Sequence, residues 1–186
     1  FTSVMIDASK KPFEENISLT NKVVEAAQSV GVSVEAELGK LGGTEDGHTV
    51  KEREATFTQP DEAVEFVERT DIDALAIAFG TAHGVYKGDP KLDFDRLAEI
   101  NDKVEIPLVM HGASGVSDES VAKAVDRGIN KINVNTAFQQ AWTAKVRDVL
   151  EDPDVYDPRD ICGPGREAMK EAVKEKIRLF GSQDKA

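Results

Sequence analysis

Five short apolar runs alternate along the chain with segments whose apolar positions recur at helical spacing. The runs at 3–6, 32–37, 74–79, 108–110 and 131–135 predict strands, and the segments 13–30, 60–68, 94–103 and 117–127 predict the helices between them. Ser117 is placed to cap the fourth helix, and Gly31 and Gly128 follow the ends of the first and fourth. Strand–helix alternation at roughly 25–40 residues predicts right-handed βαβ units around a parallel sheet. Two further helices are expected at 137–150 and 165–180. A turn-rich connector, 152–159, joins them, and a frayed end follows at 181–186. The stretch 39–59 is long, polar and glycine-containing, which predicts a lid-like loop.

A complete (β/α)₈ barrel needs about 250 residues. Five βα units and a helical tail account for these 186 residues. The expected fold is therefore α/β: a (β/α)₈ TIM barrel represented by its last five strands and its C-terminal helices. Residues 1–186 are expected to form a single domain, 137–186 being a helical extension of it, with three N-terminal βα units absent. Phe1 opens the chain inside a predicted strand with no cap or lead-in, which leads to the same expectation of a missing upstream segment. An open doubly wound sheet also fits the alternation, but no Gly-x-Gly-x-x-Gly fingerprint accompanies it.

Composition narrows the partners. A net charge of −12 excludes a nucleic-acid-binding face, which needs positive charge against phosphates. The acids are spread over the helices as a solvated surface rather than blocked in a tail. No apolar run is long enough to span a bilayer, and no signal peptide is recognisable. The one cysteine, Cys162, falls in a Pro/Gly-rich stretch read as a turn, and a reduced, cytoplasmic setting is expected.

The chemistry sits at strand ends, where barrels place it. Asp7 ends the first strand, and Glu35 and Glu37 lie on one face of the second. His83 follows the third, His111 ends the fourth, and Asn133 and Asn135 lie on the fifth. Inward-facing charge is costly unless it binds metal or other charge. Two histidines on sequential strands beside carboxylates form a partial zinc site, catalytic zinc taking three protein ligands and an open position. The third histidine, His48, lies in the polar loop and reads as solvated. Gly112-Ala-Ser-Gly115 and Asn133-Val-Asn-Thr136 offer backbone N–H groups and small side chains to an anion. Lys87 could add a cation, or simply lie exposed.

Six boxes then come together: Val4-Met-Ile-Asp-Ala-Ser9, Phe13-Glu-Glu-Asn16, Val32-Ser-Val-Glu-Ala-Glu-Leu-Gly39 with Gly42-Gly-Thr-Glu-Asp46, Gly80-Thr-Ala-His-Gly84, His111-Gly-Ala-Ser-Gly115 and Lys131-Ile-Asn-Val-Asn-Thr136. In order and spacing the chain resembles the class II, metal-dependent ketose-bisphosphate aldolases. Val155-Tyr-Asp-Pro-Arg159 and Gly163-Pro-Gly-Arg-Glu-Ala168 most resemble the bacterial-type fructose-bisphosphate enzymes. The resemblance implies zinc bound by His83 and His111, with Asp7 and Glu37 holding the metal in an alternative or second position, and a monovalent cation as a further candidate. It implies dihydroxyacetone phosphate bound at Gly84, Gly112, Ala113, Ser114, Asn133, Val134, Asn135 and Thr136. It makes Glu45 a loop acid that exchanges the proton at the nucleophilic carbon. Arg159 would reach the distal phosphate of the sugar bisphosphate, in a homodimer or homotetramer.

The family's third zinc histidine and its neighbouring proton-transferring aspartate belong to the strand before Phe1. The 186 residues alone are therefore expected to lack turnover. The function implied is zinc-dependent, reversible cleavage of fructose 1,6-bisphosphate to dihydroxyacetone phosphate and glyceraldehyde 3-phosphate, in glycolysis or gluconeogenesis. Tagatose-bisphosphate aldolase is the alternative substrate assignment. The alternative of another class is a non-catalytic fragment that binds metal or phosphate, or that pairs with a complementing N-terminal piece.

Overall fold

The computed structural model describes every residue except 46–47, 51–55, 85–89 and 186, and for 43–45 and 48–50 it describes the backbone alone. The chain divides into two compact units, Phe1–Asn133 and Val134–Ala186.

The first unit is built on five parallel strands, β1 (Ser3–Ile6), β2 (Ser33–Leu38), β5 (Ala74–Ile77), β7 (Leu108–Met110) and β8 (Ile129–Ile132), hydrogen-bonded in that order. Helices α1 (Phe13–Gln28), α2 (Pro60–Thr70), α3 (Phe94–Lys103) and α4 (Asp118–Asp126) make the crossovers. A doubly wound sheet reverses its strand order at a switch point. Here spatial order follows chain order without reversal, as in successive units of a (β/α) barrel.

Val34, Ala36, Leu75, Ile77, Leu108 and Met110 are buried, as are Phe66, Leu97, Ile100 and Val121 from the helices, so strand and helix apolar faces share one core. Alternation sends Glu35 and Glu37 to the opposite face of β2, yet both are buried there. Register aligns Glu37 with Ala76, Ala76 with Val109 and Val109 with Lys131. Small alanines on β5 leave space between the acids of β2 and the residues of β7 and β8.

Several boundaries differ from those the sequence predicts. The fifth parallel strand runs Ile129–Ile132 rather than 131–135, so Asn133 and Asn135 lie beyond it. It begins as soon as Gly128 closes α4. It ends where Asn133 turns to donate its N–H to Met110 O at 2.9 Å and to accept from Ala113 N. Strand β5 stops at Ile77 rather than 79. The predicted loop 39–59 contains a hairpin, β3 (Gly42–Glu45) and β4 (His48–Val50), and β3 also pairs in parallel with β6 (Ala82–His83). Ser117 caps α4 as expected, accepting from Ser120 N.

In the second unit α5 (Thr136–Val149) packs on α6 (Pro158–Leu179). Gly165 permits that approach, since a Cβ there would lie 2.7 Å from Trp142 Nε1. Helix α6 begins seven residues before the predicted start, and Cys162 is an exposed residue within it rather than in a turn. Pro158 fits the first helical position and Asp157 caps it by accepting from Arg159 N. Pro164, which reads as a breaker, costs one internal hydrogen bond inside a helix otherwise held along α5.

Candidate active site

His111, directly after β7, is 5% exposed and sits between two glutamates. Its Nε2 lies 2.8 Å from Glu35 Oε1, and its Nδ1 lies 3.2 Å from Glu37 Oε2. Both acids project from β2, two residues apart on one face. Glu37 is further located by its own backbone, whose carbonyl accepts from buried Asn16 on α1 at 3.0 Å. The ring of His83 stands 5.9 Å from that of His111, tilted by 40°. His83 is carried by β6, where its backbone pairs with Gly43.

The electrostatics distinguish the two acids. Burial pushes Glu35 up, but hydrogen bonds from His111 and Lys131 and their charges outweigh it and leave its carboxyl below the ordinary range. Lys131 Nζ is 2.8 Å from Glu35 Oε2 and 2.9 Å from Asn133 Oδ1. Among the described residues no lysine pairs with Glu37. Burial raises it, and the charge of Asp7 adds to the rise against the lowering by His111 and His83. For His111 itself, burial disfavours charge, but the bonds to Glu35 and Glu37 prevail and raise its pKa to about 9. The ring of His111 fills the space between the two carboxylates.

Asp7 is exposed, and its Oδ1 accepts from Ser9 N at 2.9 Å and from Ser9 Oγ at 2.6 Å, an Asx turn at the end of β1. Its charge nonetheless acts on Glu37. Gly84 follows His83 with φ of +90°. Gly112 has φ of +71° and lies against the Ala82 carbonyl, opening the 3₁₀ turn Ala113–Gly115 that contains Ser114. Ala113 is buried. Within the second unit, Val134 precedes Asn135, which starts α5 at Thr136. Also there, the exposed Arg159 pairs with Asp157 near the start of α6. Glu45 and His48 face one another in backbone register on β3 and β4, and Lys87 lies outside the described residues.

Two imidazoles and a carboxylate are the nitrogen and oxygen donors that a borderline divalent ion such as zinc accepts. His83, His111 and Glu37 therefore fit such an ion by donor type. Among the described residues, however, no three His, Cys, Asp or Glu side chains already converge into a cage. Both ring nitrogens of His111 face glutamates. The sequence alone marks Glu35 only as a strand-end acid and gives Lys131 no role. A lysine predicted on a buried parallel strand was the available signal. No helix among the described residues is long and apolar enough to cross a membrane.

Residues 1–185 match the family model described as fructose-bisphosphate aldolase class-II. The fructose-bisphosphate aldolases of Geobacillus stearothermophilus and of Staphylococcus aureus (strain Mu50) are each 54% identical to the chain over 187 residues. All of the chain is covered, with 64% and 65% of the respective relatives. The crystal structure of the YdjI aldolase from Escherichia coli K12 superposes with a TM-score of 0.86 at 41% identity, covering 100% of this chain and 63% of that one. The fructose-bisphosphate aldolase of Campylobacter jejuni superposes with a TM-score of 0.76 at 28% identity, covering 97% and 61%. The chain thus spans just under two-thirds of the length of these relatives. A sequential parallel sheet with histidines and acids gathered at its strand ends, matched along its whole length at this identity, places the chain in the class II fructose-bisphosphate aldolase family.

Proposed function

We propose that the chain is the C-terminal part of a zinc-dependent class II aldolase that cleaves fructose 1,6-bisphosphate reversibly to dihydroxyacetone phosphate and glyceraldehyde 3-phosphate. The observation that carries this reading is the placement of His111 beside the tight Gly112 turn, with Glu37 3.2 Å from its Nδ1 and the ring of His83 5.9 Å from its own. His83 and His111 would hold the metal, with Glu37 and Asp7 as the adjoining carboxylates. Zinc, when bound, supplies a Lewis acid that polarises the substrate ketone.

The chain's own residues do the rest of the work assigned here. Gly84, Gly112, Ala113 and Ser114, with Asn133, Val134, Asn135 and Thr136, bind and orient dihydroxyacetone phosphate through backbone N–H groups and small polar side chains. Glu45 moves the proton at the nucleophilic carbon, and Arg159 binds the distal phosphate. The third zinc ligand and the proton-transferring aspartate lie outside these residues, so the 186 residues alone would not turn over. A monovalent cation as a second ion, assembly as a homodimer or homotetramer and a cytoplasmic location complete the proposal.

The test uses the full-length protein. It should cleave fructose 1,6-bisphosphate only with zinc, and His83→Ala and His111→Ala should each lose both bound zinc and activity, because two remaining ligands hold the metal poorly. Retention of stoichiometric zinc and near-normal kcat by either variant would refute the ligand assignment. Preference for tagatose 1,6-bisphosphate would transfer the substrate assignment to that sugar.

A further inference from the structure

The Glu35–Lys131 pair lies beside the metal site, and the proposed reaction assigns it no role. Glu35 is buried, 5% exposed, so an ionised carboxylate there needs full hydrogen bonding. It has that: Oε1 takes His111 Nε2 at 2.8 Å and Oε2 takes Lys131 Nζ at 2.8 Å, one oxygen for each donor. Lys131 is tied in turn to Asn133 Oδ1 at 2.9 Å. The chain Asn133–Lys131–Glu35–His111 thus runs from the end of β8 across the sheet face to the ring of His111. The other ring nitrogen, Nδ1, is the one turned to Glu37.

We propose that Glu35 is a positioning residue for the metal-binding imidazole and that Lys131 is the clamp that fixes Glu35. Glu35 holds the proton on Nε2 and sets the ring plane. The Nδ1 lone pair is thereby directed to the Glu37 side, where the metal is taken up. This inference rests on the metal reading above and deepens it. Ligating histidines commonly donate their second ring N–H to a carboxylate, and loss of that partner costs about 10–100-fold in metal affinity. Lys131 extends the arrangement by one step, since a carboxylate held at both oxygens cannot swing away from the ring.

The sign of the lysine effect separates positioning from simple charge. Lys131 is a cation near a site for a cation, so if only charge mattered its removal would tighten zinc binding. If it positions Glu35, its removal loosens binding.

The experiment measures zinc affinity by chelator competition in the full-length protein, together with the visible absorption of the cobalt(II)-loaded form. Glu35→Gln offers one acceptor oxygen to two donors and should bind zinc about 10–100-fold more weakly, with shifted cobalt bands. Lys131→Met, at a half-exposed position, should bind zinc several-fold more weakly with a band shift in the same direction. Unchanged or tighter zinc binding by Lys131→Met, or unchanged cobalt bands in both variants, would overturn the inference and leave the pair as a structural ion pair. A parent protein that binds no zinc would refute the metal reading itself, and this inference with it.

Discussion

Gly112→Ala tests whether the turn after β7 is coupled to the position of His83. Gly112 has φ of +71°, and Gly31, after α1, has φ of +73°, so an alanine at either site meets the same left-handed penalty of about 1–2 kcal/mol. Their surroundings differ. At Gly31 a new Cβ would have nothing within 4 Å. At Gly112 it would lie 2.4 Å from Ala82 O and 2.7 Å from Ala82 C, both of them backbone atoms that cannot rotate aside. Overpacking of this kind adds about 1–3 kcal/mol. The expected losses are therefore about 1–2 kcal/mol for Gly31→Ala and about 2–5 kcal/mol for Gly112→Ala, read from urea unfolding of the metal-free full-length protein. Relief of the clash must move Ala82, which pairs with Gly42 and directly precedes His83. Zinc affinity should accordingly fall at least about tenfold in Gly112→Ala, the scale set by disturbing the support of a ligand, and stay unchanged in Gly31→Ala. Equal destabilisation by the two alanines, or unchanged zinc affinity in Gly112→Ala, would refute the coupling.

The metal-free protein should also lose stability between about pH 6.5 and 9. His111 is raised from 6.5 to about 9, so its contribution is complete below 6.5 and lost as pH rises through the folded value, by about 3 kcal/mol at most. Thermal melts of the parent and of His111→Gln in chelator check this, and a pH slope that persists in the variant would contradict it. Zinc affinity should run the opposite way over the same range, rising up to about tenfold per pH unit, because the imidazole sheds a proton to bind. Glu45→Gln should slow exchange of the ketone C–H proton by about 10²-fold or more with little change in KM, the scale for a general acid–base group. Unchanged exchange would return Glu45 to a surface role.

What the sequence made legible follows from the range of the interactions concerned. The order and type of the parallel strands and their crossovers were readable because buried parallel strands are short apolar runs and their helices carry one apolar face. The hairpin β3–β4 was not, since Gly42–Glu45 and His48–Val50 are polar and glycine-containing, and the pairing of β3 with β6 joins residues some forty positions apart. Helix α6 is not legible through Gly163-Pro-Gly165 because local propensity there opposes a helix that packing on α5 sustains.

At the site, residue types at strand ends singled out Asp7, Glu37, His83 and His111 as candidates, and the structure buries Glu37 and His111 side by side. The same logic stopped short of Lys131. Its partner Glu35 is ninety-six positions away in sequence, and only the folded sheet, whose register sets Lys131 on the row of Val109, Ala76 and Glu37, lets its long side chain reach Glu35 at 2.8 Å. Strand-end chemistry is thus written locally in the chain. The partners that orient it are set by contacts between strands, and Glu35 and Glu37, two residues apart on one face, shift in opposite directions because His111 and Lys131 bond the first while burial and the charge of Asp7 raise the second.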